Sequence, residues 1–179
     1  MRTIKFLWFL LFVAACGPEK SIDESLEEFN PNMEVAFKIE TLYSDSAYVR
    51  ARIQAGKMVK FLDRINPYDE FSEGVLVEFF DNDQNINSKL SGKTAIRKEG
   101  DGLIYVRDSV IWENMEGEKL ETSELIWDDR NKKVFTKKFC VLTKPGETIL
   151  SQGFEANQDF SDIRFFAIEG QMKNRFEEN

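Results

Sequence analysis

From about residue 35, apolar and polar side chains alternate in short runs that turn-forming residues interrupt. One run sets Val49, Ala51 and Ile53 against Arg50, Arg52 and Gln54, and a second sets Val75, Val77 and Phe79 against Leu76, Glu78 and Phe80. A period of two is typical of strands. Turn signals follow at Asp81–Asp83, Glu99–Gly102, Glu116–Gly117 and Pro145–Glu147. The pattern predicts an all-β domain.

The chain also resembles itself at an offset of about 30 residues. Ser91–Ile96 aligns with Glu121–Ile126 and Ser151–Ala156, while Val110 and Trp112 align with Cys140 and Leu142, then with Gly170 and Met172. Each copy contains a polar turn, at Glu99–Gly102, Asp128–Asn131 or Asp159–Asp162, and a looser copy runs from Ala51 to Phe79. Units of this kind stack into a long sheet with a continuous interior.

Alternation within the repeat assigns one set of side chains to the inner face of that sheet. The set comprises Val49, Ile53, Val75, Val77, Ile104, Val106, Val110, Trp112, Leu120, Leu125, Trp127, Val134, Cys140 and Leu142. The opposite face is more polar, although Ile111, Ile126 and Phe135 interrupt it. Two interpretations stay open from these residues alone: the core of an ordinary closed sandwich, or an open groove that accepts acyl chains.

The first residues form a targeting segment rather than part of the fold. Arg2 and Lys5 precede an apolar run from Phe6 to Val13, which is followed by Ala14, Ala15 and Cys16. This arrangement predicts a signal peptide over residues 1–15, because the run is too short for a transmembrane helix. The ending resembles the lipobox of bacterial lipoproteins, which makes Cys16 the predicted lipid-attachment site.

Charge and composition exclude several classes of function. The chain has 24 Lys and Arg, 32 Asp and Glu and no His, and its net charge is −8. Cleavage before Cys16 removes Arg2 and Lys5 and takes this charge to −10. We therefore expect no nucleic-acid partner and no histidine-based catalysis or metal ligation.

No residue set predicts a catalytic, cofactor or metal site. Cys140 lacks a histidine that could activate it and lies in an alternating strand, so we interpret it as an inert thiol. Asp81–Asn85 begins like a calcium loop, but Ile86 and Gly92 stand where that loop needs glycine and glutamate. Carboxylates concentrate in turns and on the polar face. We therefore predict a protein that is not an enzyme and that uses neither a cofactor nor a metal.

Several segments taken in order resemble the LptC family, the periplasmic component of the lipopolysaccharide-export ABC transporter. They are TLYSDS at 41–46 with VRARI at 49–53, PYDEF at 67–71, GV at 74–75 with VEFFD at 77–81, EKLET at 118–122 with LIWD at 125–128, and GFEANQDF at 153–160. The resemblance extends over about residues 39–174 and is strongest to the lipoprotein form in Bacteroidetes-type bacteria.

The resemblance implies a twisted, incompletely closed antiparallel β-jelly roll, or β-taco, whose apolar interior carries lipopolysaccharide acyl chains. It also implies edge-strand pairing with the periplasmic β-domains of the ABC transporter and with an LptA-like bridge protein. In one respect the chain departs from the better-known family form, which has an N-terminal transmembrane helix in place of a lipid. Membrane attachment here is expected through the lipid on Cys16.

These predictions divide the chain into a signal peptide (1–15), a lipidated N-terminus and tether (16–34), an LptC-like β-jelly-roll domain (35–174) and a polar tail (175–179). The expected location is the envelope of a Gram-negative bacterium, with the domain in the periplasm and the anchor in the inner membrane. The alternative function is a lipoprotein β-sandwich that binds an envelope protein or a glycan and has no lipid slot.

Overall fold

Strands form all the regular structure in residues 30–45 and 47–173, the part of the chain that the computed structural model describes. The predicted signal peptide, Cys16 and polar tail lie outside these residues. The strands are β1 (Met33–Asp45), β2 (Tyr48–Phe61), β3 (Tyr68–Phe80), β4 (Ile86–Gly92), β5 (Thr94–Lys98), β6 (Leu103–Asn114), β7 (Lys119–Asp128), β8 (Lys133–Thr136), β9 (Cys140–Lys144), β10 (Glu147–Ser151), β11 (Phe154–Asn157), β12 (Arg164–Phe165) and β13 (Ile168–Lys173).

Three long strands each belong to two halves of one antiparallel sheet. The start of β3 pairs with β5 and its end with β4. β6 likewise pairs with β5 and then β4, while β7 pairs with β9 and then β8. The first half-sheet comprises residues 68–71, 94–98, 103–107, 124–128, 133–136, 154–157 and 164–165. The second comprises residues 75–80, 86–92, 110–114, 119–122, 140–144, 147–151 and 168–173.

The two half-sheets meet along a line of bends, which we call the bend line. It runs through Gly56, Gly74, Gly92, Ser109, Ser123 and Gly153. Backbone hydrogen bonds cross it, from Gly74 N–H to the Lys93 carbonyl at 3.2 Å and from Lys93 N–H to the Arg107 carbonyl at 3.1 Å. From Gly56 to Ser123 successive bends lie 14–18 residues apart, so two bends account for the sequence repeat of about 30 residues, which is also the separation of Ser123 and Gly153.

The third copy of the repeat departs from the predicted register in β13. Leu142 pairs with Ile149 and Ile149 with Gln171, which places Gln171 on the inner row. Gly170 and Met172 therefore point outward, and Met172 is 54% exposed. The cause is a register shift between Leu150 and Ser151, where one extra residue of β13 is accommodated.

The sheet does not close into a barrel. Among the described strands, β1 pairs only with β2 at one edge, while β12 and β13 end the sheet at the other, each with one partner. The half-sheets face each other across a shared apolar core. The predicted all-β, incompletely closed antiparallel β-jelly roll is confirmed.

Candidate functional site

The fourteen residues predicted for the inner face occupy three kinds of position. Eleven are core residues with 6% or less of their surface exposed. Ile53 and Ile104 are partly buried and pack against that core. Val49 is half-buried and not part of the core, because the β1–β2 pair shifts register between Tyr43 and Ser44 and continues beyond it. Whether this interior binds lipid stays a prediction.

Other core residues carried weaker signals or none. They are Ala51, Ala55, Leu90, Ala95, Phe154, Ala156 and Phe160. Leu90 lies two positions after the buried Ser88 in β4, a strand with few apolar residues. The alternation of apolar and polar side chains in this strand is therefore too weak to predict that Leu90 is buried. Phe160 lies in a stretch that the polar pattern identifies as a turn, where a period of two predicts nothing.

Five aromatic rings meet between the two half-sheets and β1. Trp127 of the first half-sheet lies with its ring centroid 6.2 Å from that of Tyr43 and 6.0 Å from that of Phe79. Phe160 stacks on Trp112 at 4.4 Å and meets Phe79 edge-on at 6.1 Å. Such pairs stabilise their contact beyond simple burial. The interior is therefore filled by rings here rather than empty.

A cavity of about 390 Å³ opens beside these rings, and we call it the mouth. Its apolar lining consists of Tyr43, Ala51, Phe79, Phe80 and Trp127. Its polar lining consists of Asp45, Arg50, Asp81, Asn82, Asn87, Ser88, Gln158 and Asp159. A volume of this size lies in the range of small-molecule sites. The mouth joins solvent to the aromatic part of the interior.

Lys132 links the turn between β7 and β8 to Tyr43 of β1, a residue that lines the mouth. Its Nζ donates hydrogen bonds to Asp129 Oδ1 at 2.9 Å and to Tyr43 Oη at 3.2 Å. The Asp129 carboxylate, and to a smaller extent the Tyr43 hydroxyl, raises the pKa of Lys132 above its usual value. The ammonium is therefore charged at neutral pH and forms a polar rim above the apolar rings.

The interior becomes polar at one corner, beside β2, β3 and β5. Asp69 is 1% exposed and pairs across the sheet with Arg97, which in turn pairs with the inward-facing Ile104. Asp69 Oδ2 accepts a hydrogen bond from Arg97 Nε at 2.9 Å, while the buried Oδ1 has no partner in the described part of the chain. A buried carboxylate is costly next to hydrocarbon, so the apolar lining leads toward the mouth rather than this corner.

Two further groups show how the environment sets charge. The Cys140 thiol is completely buried, and burial raises its pKa above the usual value. A thiol held neutral is a poor nucleophile, so Cys140 contributes packing rather than reactive chemistry to the interior.

On the outer face, the hydrogen bond from Arg52 lowers the pKa of Glu78, and Lys89 adds to the effect.

Both edges of the sheet present exposed apolar side chains. On β1, Phe37 is 62% and Leu42 is 55% exposed. At the opposite edge Phe166, Ile168 and Met172 are each more than half exposed. Unpaired strand edges of this kind are templates for pairing with another chain.

Residues 30–45 and 47–173 contain no cluster of acidic or sulfur ligands that could hold a metal ion. Over the same residues, no helix has the length and apolarity needed to cross a bilayer. A comparison with curated proteins gives no match. The family model described as lipopolysaccharide-assembly, LptC-related matches residues 30–167.

Proposed function

Because the chain belongs to the LptC-related lipopolysaccharide-assembly family, a family with a role in lipopolysaccharide transport, we propose that it shelters lipopolysaccharide acyl chains between its two half-sheets. The observation that carries the proposal is the incompletely closed interior, which has an apolar core, is polar at the Asp69 corner and reaches solvent at the mouth. The protein would then pass acyl chains from an inner-membrane ABC transporter toward the outer membrane without catalysing a reaction.

The charge of the protein indicates which part of the lipid it holds. Lipopolysaccharide is anionic, and a chain of net charge −8 repels anions. Burial of hydrocarbon contributes about 0.8 kcal/mol for each CH₂ group. Binding would therefore rest on the acyl chains and leave the headgroup in solvent.

The two edges suit the proposed protein partners. Among the strands that the structure describes, β1 and the β12–β13 end each form an edge of the sheet and carry exposed apolar residues. One edge would pair with the periplasmic β-domains of the ABC transporter and the other with an LptA-like bridge protein, by addition of strands. Such pairing would continue the apolar interior from one domain to the next.

The proposed location follows from the predicted lipid on Cys16. Acylation there would tether the domain to a membrane while leaving it in the periplasm of a Gram-negative bacterium, with the inner membrane as the proposed site of the anchor. Edge pairing with the transporter would add to the retention that this lipid provides.

Site-specific photo-crosslinking in living cells tests the proposal. A benzophenone amino acid replaces Trp127 in the interior or Glu113 on the outer face, and adducts are blotted for lipopolysaccharide. We expect an adduct at position 127 that disappears when the ATPase of the transporter is inactivated, and none at position 113. Adducts only at position 113 would refute an interior lipid path.

A second function is favoured by one observation. Phe160 and Trp112 fill the interior with stacked rings, as expected of a closed β-sandwich that binds an envelope protein or a glycan on its surface. Saturable displacement of an apolar dye by lipid A separates the two candidates, since a closed sandwich would bind neither molecule in its interior.

A further inference from the structure

The turn between β11 and β12 sends one aromatic ring into the interior. Phe160 lies in this turn, yet only 5% of its surface is exposed. Its ring stacks on Trp112 at 4.4 Å and meets Phe79 at 6.1 Å, and both of these residues belong to the second half-sheet. A turn of the first half-sheet thus inserts its ring between the two half-sheets.

The backbone of this turn is held in an unfavourable conformation. Phe160 has a φ of +61° and Asp162 a φ of +52°. Bulky residues rarely adopt this left-handed region, and those that do are held there by surrounding structure. The ring contacts therefore hold the backbone in a conformation that phenylalanine does not favour. Because releasing the ring would relieve this backbone strain, the strain lowers the free-energy cost of release.

Hydrogen bonds make the turn a unit that could move as one body. Asn157 N–H donates to the Ser161 carbonyl at 3.0 Å, and Ser161 Oγ donates to Asp159 Oδ1 at 2.6 Å. Gln158 N–H donates to the Lys132 carbonyl at 3.0 Å, within the same half-sheet. Beyond the turn, β12 is two residues long and pairs with β11 over two positions. These bonds hold the turn together without fixing Phe160 to the second half-sheet.

The turn also borders the mouth. Gln158 and Asp159 line that cavity together with Phe79, which Phe160 contacts. Outward movement of the turn would join the volume of the Phe160 ring to the cavity and expose Trp112. The resulting space would be apolar and continuous with solvent.

We infer that Phe160 is an internal occupant of an acyl-chain site: its ring fills the space between Trp112 and Phe79 until an acyl chain enters through the mouth and displaces it. This inference rests on the proposed function and adds an entry route and a gating residue to it. The ring and the chain compete for the same apolar surface, so apparent affinity depends on the fraction of molecules whose ring is released.

A crosslinker at Phe79 can report both states of the full chain in living cells. Benzoylphenylalanine at position 79 lies beside Phe160 when the ring is in place, so it should crosslink within the chain to residues 158–163. When lipid occupies the space, it should instead form a lipopolysaccharide adduct. We expect the first product to dominate with an inactive transporter ATPase and the second with an active one.

Substitutions at Phe160 test the competition directly. Phe160→Asn removes the ring and suits a left-handed backbone, so we expect the ratio of lipopolysaccharide adduct to internal crosslink to rise about tenfold at non-saturating lipid. Phe160→Leu keeps an apolar side chain without the ring stack and should give an intermediate ratio. Phe165→Asn is the control, because Phe165 is a nearby phenylalanine that is partly buried against the core but belongs to strand β12. Its ratio should equal that of the unaltered chain.

The outcomes separate the inference from the proposed function. Lipopolysaccharide adducts that form equally in the unaltered chain and the Phe160→Asn variant would overturn the gating role while leaving lipid transport intact. An internal crosslink whose yield stays unchanged while lipid adducts appear would also overturn the gating role and leave lipid transport intact. Absence of lipid adducts from positions 79 and 127 in every variant would overturn the proposed function itself.

Discussion

The close approach of neighbouring strands at the bend line predicts a large effect of a single methyl group. Gly56 lies in β2, and a Cβ added there would stand 2.6 Å from the Glu73 Cβ and 2.9 Å from the Glu73 carbonyl oxygen. Both atoms are fixed by the backbone of β3, where Gly74 N–H is bonded to the Lys93 carbonyl. The clash therefore cannot be relieved by rotating a flexible side chain.

Gly56→Ala should consequently destabilise the domain. Forcing an extra carbon into a packed site costs about 1–3 kcal/mol. In a domain of this size each kcal/mol shifts Tm by roughly 3–5 °C, so Tm should fall by about 3–15 °C. Thermal unfolding followed by far-UV circular dichroism measures this shift.

Gly100→Ala provides the control. A Cβ at position 100 would meet no atom within 4 Å, and the backbone there has no left-handed φ. We expect a change within about 0.5 kcal/mol. If Gly56→Ala unfolded at the same temperature as Gly100→Ala, the reasoning that two strands cross too closely for a side chain at Gly56 would be wrong.

Two further predictions concern the outer surface. Hydrogen bonding from Arg52 and attraction to Lys89 lower the pKa of Glu78 below its ordinary value of 4.5. The resulting stabilisation is complete above pH 4.5 and is lost as the pH falls through the folded-state pKa. In Glu78→Gln the free energy of unfolding should therefore decrease less steeply on acidification than in the unaltered chain, and an unchanged pH profile would contradict the assignment. At the edges, Phe37→Lys on β1 and Met172→Lys on β13 should each change the free energy of unfolding by less than about 0.5 kcal/mol, yet each should abolish co-purification with a different one of the two proposed partners. Loss of the same partner from both variants, or of neither, would count against edge pairing.

Alternation predicted the inner face well where a strand is regular and failed where it is not. Leu120 and Leu125 lie in the same strand on the two sides of a bend, and both are completely buried as the pattern indicated. Val49 follows the same alternation but lies where β1 and β2 continue past the core. A period of two indicates which face a side chain occupies, but not how far the opposite half-sheet extends.

The repeat was visible in the sequence, whereas its physical meaning was not. The aligned segments Ser91–Ile96, Glu121–Ile126 and Ser151–Ala156 all cross the bend line. Similar residues recur there because each crossing requires small or polar residues that tolerate a change of partner strand. Phe160 could not be predicted as part of the site, because burial of a turn residue depends on the surface opposite it.

The number of times the chain crosses the bend line also sets the length of the interior. Each repeat of about 30 residues crosses the line twice and adds two strand segments to each half-sheet. Since neighbouring strands are about 4.8 Å apart, one repeat extends the enclosed space by roughly 10 Å. Insertion or loss of whole repeats would therefore change the length of the domain in steps of that size while its cross-section stays constant.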